Sequence, residues 1–265
     1  RLEAGGGRWF DFFAEEILDD LDAATRDFLL RTSLLPRLEA ASCDALLETR
    51  NSARRLQALA RRNLFTQALG PGTWRYHNLL RACLRRRLAE VLPATELRAL
   101  RRRAATLLVE AGEPEAAILE LARAGDVAQT LSVVARNVRE LADTRRPETL
   151  QAGLEALPPA DLRGHAPALL VRACLAHLTG RWDEAKADLR RAMRLGPAAD
   201  VASQVQARLV RLQLQRGHFE TCLRTGRRAL AGRGSIRSAD RGLILSSLGV
   251  AAASRGRLDQ GADYL

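Results

Sequence analysis

A phosphate-gripping loop cannot be drawn on this chain, because its single lysine, Lys186, follows Ala185 inside a helical stretch. Such a loop needs glycines leading into Gly-Lys-Ser/Thr, so that backbone amides and an ammonium can hold the phosphates. Aromatic residues make up only 4% of the sequence. A core must therefore come from leucine, alanine and valine, and alanine and leucine are among the best helix formers. No apolar run approaches the 18 or so residues of a membrane span, and no signal peptide is visible. Cys43, Cys83, Cys174 and Cys222 stand far apart, without Cys-x-x-Cys or Cys/His ligand spacing. That argues against zinc and against a disulfide framework. Buried free thiols in a reducing cytoplasm fit instead. His77, His165, His177 and His218 also lack metal-ligand spacing, and no nucleophile–base pair or paired carboxylates suggest a reaction. The expectation is a cytoplasmic chain with no catalytic residue, no metal and no cofactor of its own.

What is present is charge and helical periodicity. The 265 residues carry a formal net charge of +11, 28% charged residues and 47% hydrophobic ones. This is a globular composition, long enough for about two domains. The basic residues are almost all arginine and are spread along the chain, with no block of like charge forming a tail. The chain begins at Arg1 without Met and stops at Leu265 inside a helical pattern, so it reads as a piece of a longer protein.

Residues 1–8 are glycine-rich and read as a linker. Apolar residues at Phe10, Phe13, Ala14, Ile17, Leu18 and Leu21 predict a first helix with an acidic outer face. Further helices are expected around Ala23–Thr32, Glu39–Leu47 and Ser52–Asn63. The segments Leu64–Ala68 and Trp74–His77 flank Gly70-Pro71-Gly72 and predict a short hairpin, the only β signal in the chain. A helix over Leu79–Val91 follows. Helices, hairpin, helix is the element order of a winged helix.

After Pro93 the pattern is helical throughout. Gly112, Gly180, Gly217 and Gly256 are each followed five residues later by a small residue: Ala117, Ala185, Cys222 and Gly261. The glycine suits the turn at a helix C-terminus, and the small residue lets the next helix pack closely. The later spacings, Gly180 to Gly217 and Gly217 to Gly256, lie near the tetratricopeptide period of about 34 residues. In the clearest unit Ala173, Gly180, Trp182, Ala185, Leu189, Ala192 and Pro197 fall at tetratricopeptide positions. Trp182, Phe219 and Leu258 read as packing residues between paired helices. The fold expected is all-α, a winged helix with one hairpin followed by a tetratricopeptide-like superhelix. Its parts are a linker (1–8), winged helix (9–91), helical linker beginning the superhelix (92–157) and repeats (158–265).

The helix Ser52–Asn63 has a basic face, with Arg54 over Arg61 and Arg55 over Arg62, opposite Leu56, Leu59 and Ala60. It could enter a major groove, or present a solvated or partner-docking arginine face. The triplets Arg85–Arg87 and Arg101–Arg103 spread around their helices and make no compact patch. Lone His77 reads as a helix-start residue.

The run Phe10-Asp11-Phe12-Phe13-Ala14-Glu15-Glu16-Ile17-Leu18 resembles a segment of the MalT-like, LuxR-tailed, ATP-dependent (STAND-class) bacterial transcription regulators. So do Phe28-Leu29-Leu30-Arg31-Thr32-Ser33-Leu34-Leu35, Cys43-Asp44-Ala45-Leu46, Asn63-Leu64-Phe65 and Trp74-Arg75-Tyr76-His77-Asn78-Leu79-Leu80, across about residues 8–90. The departures are Asn78, where the family usually repeats His, and Leu80, where Phe is common. The resemblance implies an upstream nucleotide domain that holds ADP at rest. It implies that a small inducer or regulatory protein on the repeats favours ATP exchange and self-association, and that a C-terminal helix-turn-helix binds promoter DNA. It further implies that the winged helix clamps the chain's own nucleotide domain, with His77 standing against the ADP phosphate. Two other readings stay open: a winged helix that reads DNA directly through Arg54, Arg55, Arg61 and Arg62, and a repeat scaffold for proteins.

Overall fold

The computed structural model describes residues 21–61, 66–144, 146–232 and 236–264. The expected linker 1–8, nearly all of the helix Phe10–Leu21, Arg62 and the first hairpin residues from Leu64 lie outside the described residues. The chain divides into two compact units, one reaching Asp126 and one starting at Val127.

In the first unit, helix α1 (Ala23–Thr32) opens at Asp22, whose carboxylate accepts from the Thr25 amide at 2.9 Å, satisfying one donor that the first turn leaves unpaired. Strand β1 (Leu38–Glu39) runs directly into helix α2 (Ala40–Leu47), and α3 (Ser52–Arg61) follows. Strands β2 (Thr66–Gly70) and β3 (Thr73–Tyr76) meet at Pro71-Gly72, where Gly72 takes φ 75°. The sheet has the order β1-β3-β2, antiparallel throughout, with Leu38 opposite Trp74 and Thr66 opposite Tyr76. The hairpin is thus not the whole of the β structure. A two-residue strand carries no period-2 signal, and β1 is hidden further because a helix begins at its end.

Helices α4 (Asn78–Val91), α5 (Ala94–Glu110) and α6 (Pro114–Arg123) complete the unit. Its core includes Phe28, Leu34, Leu38, Leu46, Leu56, Leu84 and Leu88, all fully buried. The buried carboxylate of Glu120 on α6 accepts from Arg85 of α4 and lies 3.8 Å from Arg101 of α5. One acid therefore ties three helices, and α5 and α6 belong with the winged-helix side of the chain. The arginine triplets disperse as expected. Arg87 pairs with Glu90 at 3.1 Å, Arg102 with Asp126 at 2.9 Å, and Arg103 with the Leu46 carbonyl at 2.9 Å.

The second unit holds α7 (Val127–Arg136), α8 (Val138–Ala142), α9 (Pro147–Glu155), α10 (Pro159–Gly164), α11 (Ala166–Leu178), α12 (Trp182–Arg194), α13 (Ala199–Gln215), α14 (Phe219–Ala231), α15 (Ser238–Ala253) and α16 (Leu258–Asp263). Between α11 and α12, Gly180 takes φ 74° and donates to the His177 carbonyl at 3.1 Å. The next amide, Arg181, reaches back to Ala176 at 2.8 Å. This paired closure needs a left-handed residue, which glycine adopts without a Cβ penalty. The same closure recurs after Gly112, Gly217 and Gly256, with long-reach bonds of 2.8, 2.9 and 3.0 Å. Ala117, Ala185, Cys222 and Gly261 are all buried. A Cβ on Gly261 would sit 3.0 Å from the Gly249 carbonyl oxygen, so the small residues are where paired helices touch.

Trp182, Phe219 and Leu258 each begin the second helix of a pair. Trp182 meets His177 edge-on with ring centroids 4.8 Å apart, and Phe219 packs on the core around Leu223 and Leu248. Leu258 departs from the expectation, being 69% exposed. Polar ties add to the packing. Arg172 of α11 and Asp188 of α12 pair in a fork at 2.6 and 2.5 Å. Buried Asp240 of α15 accepts from Ser203 of α13 at 2.7 Å and from Arg139 of α8 at 3.2 and 3.3 Å.

The tightest approach gives a measurable contrast. A Cβ on Gly226 of α14 would fall 2.6 Å from Leu248 Cδ2, whereas one on Gly242 of α15 meets nothing within 4 Å. Overpacking costs about 1–3 kcal/mol and exceeds the roughly 1 kcal/mol of helix propensity that alanine restores. Gly226→Ala is therefore expected to lower stability by about 1–2 kcal/mol, and Gly242→Ala to raise it by about 0.5–1 kcal/mol. Urea unfolding compares them; a stabilised Gly226→Ala variant would mean that the helices do not close to this distance.

Candidate functional site

Two places gather chemistry-bearing side chains, one in each unit. In the first, His77 follows β3 and caps α4, its Nδ1 accepting from the Leu79 amide at a long 3.4 Å. The ring itself is exposed. The residues on either side hold this position firmly. Tyr76 is fully buried, with its hydroxyl 2.7 Å from Thr32 Oγ1. Arg81, one turn into α4, donates to the Ser33 and Leu34 carbonyls at 2.8 and 3.1 Å. The start of α4 is thus fastened to the end of α1, and these anchors carry no signature in the sequence.

The basic face of α3 divides. Arg54 and Arg61 are exposed, whereas Arg55 donates to the Ala24 carbonyl at 2.7 Å and lies 5.6 Å from the Phe28 ring centroid. Arg62 lies outside the described residues. A neighbouring groove of about 380 Å³ has its charges already matched: Arg31 with Glu96 at 2.7 Å and Arg103 with Glu48 at 3.1 Å.

In the second unit, α8, α11, α12 and α13 enclose a cavity of about 250 Å³. About half of its lining is apolar, from Ala173, Leu178, Ala185, Leu189 and Leu212, with the Cys174 thiol among them. Burial pushes that thiol up to about 11, so it is an inert wall group and not a nucleophile. The polar lining is His177, Arg208, Arg211 and Asp143. Arg208 Nη2 pairs with Asp143 Oδ1 at 3.0 Å, while its Nε is buried without a hydrogen-bond partner. Arg211 is exposed at the mouth. Burial lowers the His177 pKa, and the Arg211 and Arg208 charges lower it further. The cavity went unseen in the sequence, although Arg208 and Arg211 stand three apart on one helix face, a spacing that was there to read.

The four cysteines are free and buried, and no group of three His, Cys, Asp or Glu among the described residues could hold a metal. No described helix is long and apolar enough to cross a membrane.

A family model for the MalT winged helix domain matches residues 14–96. Two HTH-type transcriptional regulators MalT of Klebsiella pneumoniae, from strain 342 and from a strain of subspecies pneumoniae, are each 32% identical over 184 residues. That match takes in 69% of this chain and 20% of each relative, so the chain spans about a fifth of their length. Among solved structures, a STAND protein with a tetratricopeptide repeat sensor from Pyrococcus horikoshii aligns with a TM-score of 0.50 at 16% identity, covering 96% of this chain and 45% of that one. The chain therefore carries a winged helix of the MalT kind, followed by helices that share the fold of a STAND repeat region.

The second unit should also be acid-sensitive in a defined way. His165 caps α11, its Nδ1 accepting from the Ala168 amide at 3.2 Å, and burial lowers its pKa from 6.5. The folded state thus holds this ring neutral where the unfolded chain would protonate it. Stability is fully present above about 6.5 and is lost as pH falls toward and through the lowered folded value. His165→Asn keeps a capping acceptor without a titrating ring. Its urea midpoint is expected to fall less than the parent's between pH 7.5 and 5; equal falls would contradict the assignment.

Proposed function

We propose that this chain receives a small signal molecule in its helical unit and relays occupancy, through the winged helix, to the nucleotide domain of a MalT-like STAND regulator. The observation that carries the reading is the cavity bounded by α8, α11, α12 and α13. A molecule there touches four helices at once, so its binding energy depends on their arrangement. A ligand shifts a conformational equilibrium only through such differential contact.

His77 is the relay's contact point. An exposed imidazole fixed at the start of a helix suits a phosphate oxygen, where a hydrogen bond gains from the acceptor's charge. In this reading it holds a resting nucleotide diphosphate, and promoter DNA is bound by a helix-turn-helix elsewhere in the regulator. The commitment of Arg55 to α1 weakens direct DNA reading by α3.

Native mass spectrometry tests reception without knowing the ligand. After incubation with a small-molecule extract of the source cells, the chain should retain a species of a few hundred daltons. Ala173→Leu, which fills the cavity, and Leu178→Trp, which narrows its exposed mouth, should each lose it while keeping the parent's helical content. An adduct retained equally by both variants, or absent from the parent, would remove the cavity as a receiver.

A further inference from the structure

The lining of the cavity in the second unit points to the chemistry of its occupant. Two guanidiniums and an imidazole face one carboxylate, Asp143. Arg211 has no hydrogen bond or ion pair among the described residues, and Arg208 is only half satisfied, with Nη2 on Asp143 and Nε buried and unpartnered. The other walls offer methyl and methylene groups. Resting on the receiver reading above, we propose that the occupant is a small carboxylate with a compact apolar body, its carboxyl group held between Arg208 and Arg211.

Guanidinium groups match a carboxylate in fork geometry and lose less hydration than an ammonium would. A monoanion fits better than a dianion such as phosphate, because Asp143 already offsets one of the two arginine charges. At about 250 Å³, the space falls just below the roughly 300–1,000 Å³ of typical small-molecule pockets, which favours a single ring or a branched chain.

Asp143 then acts as a built-in competitor. It stands just beyond the end of α8, and its side chain is 72% exposed while that of Arg208 is 22% exposed. An ion pair this exposed on one side is weak, so a better-buried carboxylate can replace it. Binding would displace Asp143 from Arg208.

Titration calorimetry on the whole 265-residue chain, with benzoate and isovalerate against benzamide and isovaleramide, tests this. At least one acid should bind at least about tenfold more tightly than its amide. Asp143→Asn should tighten the acid several-fold by removing the competitor, and Arg211→Gln should erase the preference without altering thermal stability. Amides that bind as well as the acids, with Arg211→Gln neutral, would overturn the carboxylate assignment and leave the cavity as a receiver of neutral molecules. Failure of both acids to bind, while the chain still retains an extract-derived ligand, would overturn the assignment too. Failure of both, with no retained ligand, would remove the receiver reading with it.

Discussion

The close approach of paired helices, set by a left-handed glycine and a small residue five positions later, governs the second unit. Gly180 closes α11, and Ala185 lets α12 lie against it. Ala185 is also a wall of the cavity, so the residue that brings two helices together bounds the space beside them. A larger side chain there would part the helices and fill the space at once. The forked Arg172–Asp188 pair holds the same crossing with charge, and Asp240 ties α15 to α13 and α8. Each joins a buried carboxylate to a part-exposed arginine, so solvent screens the attraction and such pairs define geometry more than they add stability.

The arginine excess has a different meaning from the one that net charge suggests. Arg81 and Arg103 donate to backbone carbonyls, and Arg85, Arg101 and Arg102 face acids. Arg55, on the face that looked most suited to DNA, is spent on α1. Long, flat, always-charged side chains serve here as ties between helices, with their methylene stems covering apolar surface. Arg54, Arg61 and Arg211 are among the arginines that stay exposed, and the last of these lines the cavity.

Helix α1 was legible, expected around Ala23–Thr32 and found there, because Pro36 marks the break after it. The glycine turns were legible because their chemistry is local. Strand β1 was not, because its existence depends on a partner thirty-odd residues away. The anchors of His77 were equally hidden: Tyr76 and Arg81 act through Thr32, Ser33 and Leu34, contacts that only the folded chain creates. The cavity was the least visible feature. It is made by four helices, and no single stretch of sequence encodes an empty space. Leu258 shows the converse, a residue in the right place by spacing whose side chain is left in solvent.

The proposed reception in one unit and the proposed nucleotide contact of His77 in the other make a single mechanism only if they are coupled. The direct measurement is the rate of ADP release from the full-length regulator, with and without the cavity's occupant, in the parent and in Leu178→Trp and His77→Ala variants. Coupling requires that the occupant speed release in the parent but not in Leu178→Trp, and that His77→Ala release ADP quickly without any occupant. Release rates indifferent to the occupant in the parent, or unchanged by the loss of His77, would mean that this chain does not gate the nucleotide.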